Sequence, residues 1–215
     1  MTGQTSEMMA LRDPDIRLML RVRDVDDQAA FAELVEKYQH RLVGILGHLV
    51  RGADGAEDLA QEAFLRVYRT RKKYTPKAKF STWLFTIANN LALNSLRDRN
   101  RRPTAEWNAH DSGARPEEQL PSVREPQPSG ALRKVELAKV VRQALDELND
   151  RQRAAVLLNK FEDMGYAEIA EVMGLTVKGV KSLLNRARCR LREVLQPYIY
   201  MDGEAPPIHD DVEDD

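Results

Sequence analysis

The sequence predicts an all-α protein: two small helical domains joined by a flexible linker, the C-terminal one a helix-turn-helix. Three observations carry that prediction. Apolar residues recur at three- and four-residue spacing through most of the chain, and alternating strand-type runs are hard to find. Charged residues make up 31% and aromatics 6% of the 215 residues, a profile of helical modules rather than of a large sheet core. A polar stretch punctuated by Pro103, Pro116, Pro121, Pro126 and Pro128 separates two periodic segments.

Taken in order, residues 1–13 lack a period and are expected to be frayed. Two helical patterns fill Asp15 to Val50. Asp26 and Asp27 start the second, whose Phe31, Leu34, Val35 and Tyr38 fall at helical spacing. Gly52 to Gly55 breaks the pattern, a third helix runs from about Ala56 to Arg71, and a fourth from about Ser81 to Asn100. Between these lies the loop Tyr74–Lys79. Helical periodicity returns near Leu132 and continues to Tyr200, with breaks near Asn149, from Asp163 to Gly165, and at Gly174. The expected division is therefore a disordered N-terminus 1–13, a domain 14–102, a linker 103–131, a domain 132–200 and an acidic tail 201–215. Trp107 and Leu120 are the linker's large apolar side chains, either idle or anchoring it to a partner. A linker of that length spans about 30 Å as a random coil.

The segment Tyr166 to Arg188 reads as a helix-turn-helix. Ile169, Met173 and Leu175 supply packing positions, Ala170 permits a close helix crossing, and Gly174 suits a left-handed turn. Thr176 is a good N-cap for the second helix. Val177, Val180, Leu184, Ala187 and Leu191 form its apolar stripe. Lys178, Ser182, Asn185 and Arg186 lie opposite, with Lys181 on the flank; such side chains bond phosphates and base edges in a major groove. The alternative is a two-helix corner with a solvated basic face. Gly179 costs about 1 kcal/mol relative to Ala inside a helix, so it is expected to permit close approach to a DNA backbone.

In the third helix Ala60, Ala63, Phe64 and Val67 point inward, and the outer face carries Asp58, Gln61, Glu62, Leu65 and Arg69. That face is either solvated or a docking surface with one apolar contact ringed by polar ones. Around the following loop crowd Arg66, Arg69, Arg71, Lys72, Lys73, Lys77 and Lys79, flanked by Tyr74 and Phe80. Asn89 and Asn90 follow, then Arg97, Arg99, Arg101 and Arg102. Cations interleaved with rings and amides suit a single strand, where phosphates are neutralised and bases stack. Trp83 and Phe85 are expected in the core.

The formal net charge of −1 conceals an asymmetry. The tail after Met201 holds seven acids and no Lys or Arg, which leaves 27 acids against 33 bases, a body of about +6. The tail is expected to be a solubilising extension, or an autoinhibitory DNA mimic. The single cysteine, Cys189, excludes an internal disulfide and suggests a reducing cytoplasm. No stretch approaches the roughly 20 apolar residues of a membrane span. The four histidines are scattered and no phosphate loop appears, so no cofactor, metal or catalytic group is expected.

The chain resembles the sigma factors of bacterial RNA polymerase, specifically the extracytoplasmic-function group, from about Asp15 to Leu195. The first signature runs from Ala56 to Tyr68 and from Phe80 to Ala92. The second comprises Leu145-Asp-Glu-Leu, Gln152-Arg and the helix-turn-helix through Leu191. The resemblance implies a non-enzymatic promoter-specificity subunit that helps melt DNA. Asp58, Gln61, Glu62, Leu65 and Arg69 would dock on the β′ clamp helices of core polymerase. Tyr74, Lys77, Lys79, Phe80, Asn90 and Arg97 would hold the melted −10 strand. Thr176, Lys178, Lys181, Ser182, Asn185 and Arg186 would read the −35 duplex. The β flap and an anti-sigma factor are further partners it implies, and a monomer when free. Members often carry a basic residue where this chain has Leu183 and a small one where it has Lys178, so specificity is expected at those two positions. The runner-up is a stand-alone operator-binding regulator, which predicts a ligand-binding or dimerising domain in the N-terminal half.

Overall fold

A computed structural model describes residues 13–50, 53–101 and 128–199. The expectations for the frayed N-terminus, most of the linker with Trp107 and Leu120, and the acidic tail lie outside these residues. Among the described residues there are eight α-helices and one 3-10 turn, and no strand. The helices are α1 (Pro14–Val25), α2 (Gln28–Val50), α3 (Ala53–Thr70), α4 (Phe80–Arg101), α5 (Pro128–Asp146), α6 (Asp150–Phe161), α7 (Tyr166–Met173) and α8 (Val177–Ile199). The 3-10 turn covers Arg71–Lys73.

Local signals set the ends. Asp13 caps α1 by accepting from Asp15 N at 2.9 Å, and Pro14 follows where a missing N–H costs nothing. The chain leaves α1 through Asp26 in a left-handed conformation, φ 55°. Asn149 and Gln152 cap the start of α6 reciprocally, at 2.9 and 3.2 Å. Two expected boundaries move. α3 begins at Ala53, three residues early, and α5 begins at Pro128, inside the expected linker. Proline is well tolerated in a first helical turn, which is why a punctuating residue here opens a helix.

The N-terminal half packs α1, α3 and α4 around α2. Ile16, Met19 and Val22 of α1 meet Leu34, Leu42, Ile45 and Leu46 of α2, and Phe80, Leu84, Phe85 and Ala88 of α4 complete the core. Asp15 is 6% exposed, and its carboxylate accepts from Tyr38 Oη at 2.5 Å and Lys37 Nζ at 2.6 Å. A buried carboxylate needs such partners. The C-terminal half packs α5, α6 and α7 against α8. Its most deeply buried large side chain is Arg153, 0% exposed. The guanidinium donates to Leu145 O and Leu148 O at 2.9 Å and to Asp146 O at 3.3 Å. One side chain thus satisfies carbonyls at the end of α5 and just beyond it. The halves also touch: α7 lies on α4, and α6 on α2.

Candidate nucleic-acid interface

The helix-turn-helix is built as its sequence indicates. Gly174 adopts φ +63° and Leu175 N donates to Ala170 O at 2.9 Å, a left-handed C-cap that turns the chain from α7 into α8. Thr176 Oγ1 accepts from Gly179 N at 3.0 Å and caps α8. Val180, Leu184 and Ala187 are buried, Lys178, Lys181, Ser182, Asn185 and Arg186 are exposed on another side, and Thr176 is exposed at the helix start.

Three details depart from expectation. Val177 is 43% exposed and lies off the buried stripe. Leu183 is 8% exposed, so it packs inward and does not share the exposed surface of Lys178. Helical phase places it beside Leu184 and Val180, and its apolar character follows. A Cβ at Gly179 would stand 3.2 Å from Thr176 Oγ1. The glycine leaves room for the cap hydroxyl, which accounts for it without a DNA backbone.

The loop after α3 is assembled differently. Arg71 Nε and Lys72 Nζ both bond Asp26, at 2.5 and 2.8 Å, and together they hold its carboxyl below the usual range. Arg71 also lies 4.1 Å from the Tyr68 ring centroid. Arg23 Nη1 donates to Tyr74 O at 3.2 Å. Much of the loop's positive charge therefore fastens the loop to α1.

Its two flanking rings turn inward, which corrects their expected role as stacking surfaces. Tyr74 is 4% exposed and packs on Trp83, with centroids 4.7 Å apart; its hydroxyl is buried with no hydrogen-bond partner among the described residues, and burial raises its pKa. Phe80 is fully buried against Tyr38, edge to face at 5.5 Å. Periodicity does not set side-chain direction in a short loop, so the orientation of Tyr74 is not readable there from sequence, whereas Phe80 opens α4 one turn before the buried Leu84. The loop-side ring that keeps some surface is Trp83, which the sequence placed in the core. Lys77, Lys79, Asn90 and Arg97 are exposed as expected, whereas Asn89 is buried.

On α3 the inner stripe Ala60, Ala63, Phe64 and Val67 is buried. Asp58, Gln61, Leu65 and Arg69 are exposed, Leu65 at 48%. Glu62 sits among them, half-buried and bonded to Arg66 Nε at 2.8 Å. The Arg66 guanidinium holds its carboxyl below the usual range. An apolar side chain ringed by polar ones is thus physically present. Among the described residues no cluster could hold a metal ion, and no helix is long and apolar enough to cross a membrane.

Comparison with known proteins decides between a regulator and a polymerase subunit. The "Sigma-70 region 2" family profile matches residues 34–102, and "Sigma-70, region 4" matches residues 138–191. The RNA polymerase sigma-H factor of Pseudomonas aeruginosa is 36% identical over 89% of this chain and 98% of its own length. The chain belongs to the extracytoplasmic-function group of the sigma-70 family. The sigma-E factor of Escherichia coli is 33% identical over 80% of this chain and 90% of its own. Among solved structures, the sigma factor RpoE with the anti-sigma factor NepR from Bartonella quintana matches with a TM-score of 0.58 and 26% identity, over 77% of this chain and 96% of that one. CnrH with the cytosolic domain of CnrY matches in fold, with a TM-score of 0.62 and 24% identity, over 86% of this chain and 99% of that one. The protein is a promoter-specificity subunit of RNA polymerase, and the stand-alone regulator is not favoured.

Proposed function

We propose that the two halves divide the promoter between them. Residues 14–102 bind core polymerase and the melted −10 strand, and residues 132–200 read the −35 duplex. The observation that carries this is the segregation of faces on α8. Lys178, Lys181, Ser182, Asn185 and Arg186 are exposed on one side, with Thr176 exposed at the helix start, and Val180, Leu184 and Ala187 are buried on the other. Such a helix can enter a major groove without disturbing its own packing. On α3, Asp58, Gln61, Glu62 and Arg69 surround Leu65 and supply the polymerase contact. At the loop, Lys77, Lys79, Asn90 and Arg97 supply phosphate and base contacts, while Tyr74 and Phe80 act from beneath by shaping it.

The protein supplies recognition and melting, and the bond-forming chemistry stays with the polymerase. It acts in the cytoplasm, where polymerase meets DNA. Both solved relatives described above are bound to a second protein, named in one as an anti-sigma factor, and a partner of that kind suits this chain. Two weak modules gain avidity from one scaffold, so the free chain binds promoter DNA poorly. Run-off transcription with core polymerase on a genomic promoter pool tests the proposal. Chain-dependent start sites are expected, and their absence would overturn it.

A further inference from the structure

The exposed charge of α8 runs further than its proposed contact with DNA. The groove-reading positions end at Arg186, yet Arg188 and Arg192 are exposed beyond it. They follow Lys181 by about two and three helical turns, so they share its face. Among the described residues no carboxylate pairs with Lys178, Lys181, Arg186, Arg188 or Arg192. Arg186 bonds Ser182 O of its own helix, and Arg188 donates to the Tyr166 hydroxyl at 3.1 Å. Glu193 of the same helix and Glu147 of the preceding loop are both taken by Arg190, at 3.1 and 2.7 Å. In the loop after α3, by contrast, Arg71 and Lys72 share Asp26. The trailing part of α8 is thus a cationic face without its own counter-charge, and such a face attracts polyanions.

The sequence supplies an anion of matching reach. α8 ends at Ile199. Asp202, Glu204, Asp210, Asp211, Glu213, Asp214 and Asp215 follow, with no Lys or Arg among residues 201–215. The five acids from Asp210 onward begin eleven residues past Ile199, a coil span of about 20 Å. Measured back from Ile199 along the helix, Arg192, Arg188 and Arg186 lie about 10, 17 and 20 Å away, and Lys178 about 32 Å. A segment leaving the helix end therefore meets Arg186 to Arg192 without being stretched, and falls short of Lys178. Each surface ion pair is weak, but the tether raises the effective concentration of the acids to about the millimolar range.

We propose that residues 202–215 fold back along α8 and pair with Arg192, Arg188 and Arg186, so that the chain carries an internal competitor for duplex DNA. The inference rests on the assignment of this face to the −35 duplex. Tail carboxylates stand where phosphates would, and Lys178 and Lys181 stay open at the leading end. Because the tail must leave before any duplex is gripped along the whole helix, it lowers affinity for every duplex by a common factor. The free chain is thereby kept off DNA until a shared scaffold adds further contacts.

The test uses the full chain, natural and with Asp210→Asn, Asp211→Asn, Glu213→Gln, Asp214→Asn and Asp215→Asn together. A nitroxide on Cys189, the single cysteine and exposed beside Arg188, broadens the NMR signals of amides that approach it. In the natural chain at low salt, the amides of residues 210–215 are expected to be broadened. They should regain intensity as salt is raised to 1 M, where the Debye length is about 3 Å. In the neutralised variant they should be sharp already at low salt. Fluorescence anisotropy on the unlabelled chains reads duplex binding. The variant is expected to bind both a −35 duplex and an unrelated one roughly threefold to tenfold more tightly at low salt, with the ratio falling toward one as salt is raised. Broadening that depends on neither salt nor tail charge overturns the docked tail, even if affinity rises, since long-range charge alone then accounts for the gain. Docking without any gain in duplex affinity on neutralisation overturns the competition. Run-off transcription separates the two readings: a natural chain that starts no transcription overturns the proposed function, whereas one that transcribes without salt-dependent broadening overturns the tail contact alone.

Discussion

On α8 the polar side chains proposed to meet DNA are exposed, and among the described residues no hydrogen bond or ion pair joins Lys178, Lys181 or Asn185 to another element. In the loop after α3 three of the cations are already engaged: Arg71 and Lys72 with Asp26, Lys79 with Glu168. The rings differ in the same sense, since Tyr74 and Phe80 are buried beneath the loop. The difference is one of backbone hydrogen bonding. A helix satisfies its own peptide groups, so one face can pack and the other can bind. A short loop has no such ladder and must hold its shape with its side chains, so the same residues serve anchoring and recognition.

The largest test of that contrast is Phe80→Ala. If the ring is a support, truncation should cost about 3–5 kcal/mol of stability in a urea titration. Retained stability with a selective loss of strand affinity would return Phe80 to the surface and break the contrast. Next, Arg186→Ala should cost about 1–3 kcal/mol in −35 duplex binding and leave stability within about 0.5 kcal/mol. A large loss of stability would show that α8 also mixes the two tasks. Thr176→Ala should cost about 1 kcal/mol of stability through the lost cap, read by thermal unfolding, with any loss of duplex affinity beyond that marking direct contact with DNA.

The smallest effect is electrostatic. Lys72 and Arg71 lower the pKa of Asp26, so its contribution is present above the ordinary aspartate range and disappears as pH falls through the lowered value. Acid titration of Asp26→Asn should lack that component, and at neutral pH the variant should bind the single strand slightly more tightly because two cations are released. Weaker binding would show that Asp26 organises the loop productively.

Periodicity made much of this molecule readable in advance. It indicated the buried stripe of α3, that of α8 apart from Val177, the exposed Leu65, and the exposed polar positions Lys178, Lys181, Ser182, Asn185 and Arg186. The residues at Gly174 and Thr176 behave as their backbone chemistry requires. Leu183 was legible too by helical phase, but a comparison with basic residues in relatives drew attention to the wrong face. Tyr74 was not legible. Its orientation is set by packing on Trp83, and no local pattern encodes it, whereas Phe80 shares the helical phase of the buried Leu84 and Ala88. The Arg153 hydrogen bonds and the pairing of Lys79 with Glu168 are tertiary for the same reason.

Cys189 is the chain's single cysteine and is exposed on α8, three residues beyond Arg186. Its thiol ends the stripe that faces DNA in the proposed complex. Alkylation of the natural chain therefore modifies one known atom, and a bound duplex should slow that reaction. The molecule carries its own occupancy gauge, readable by mass spectrometry without a label, an engineered residue or a reporter gene.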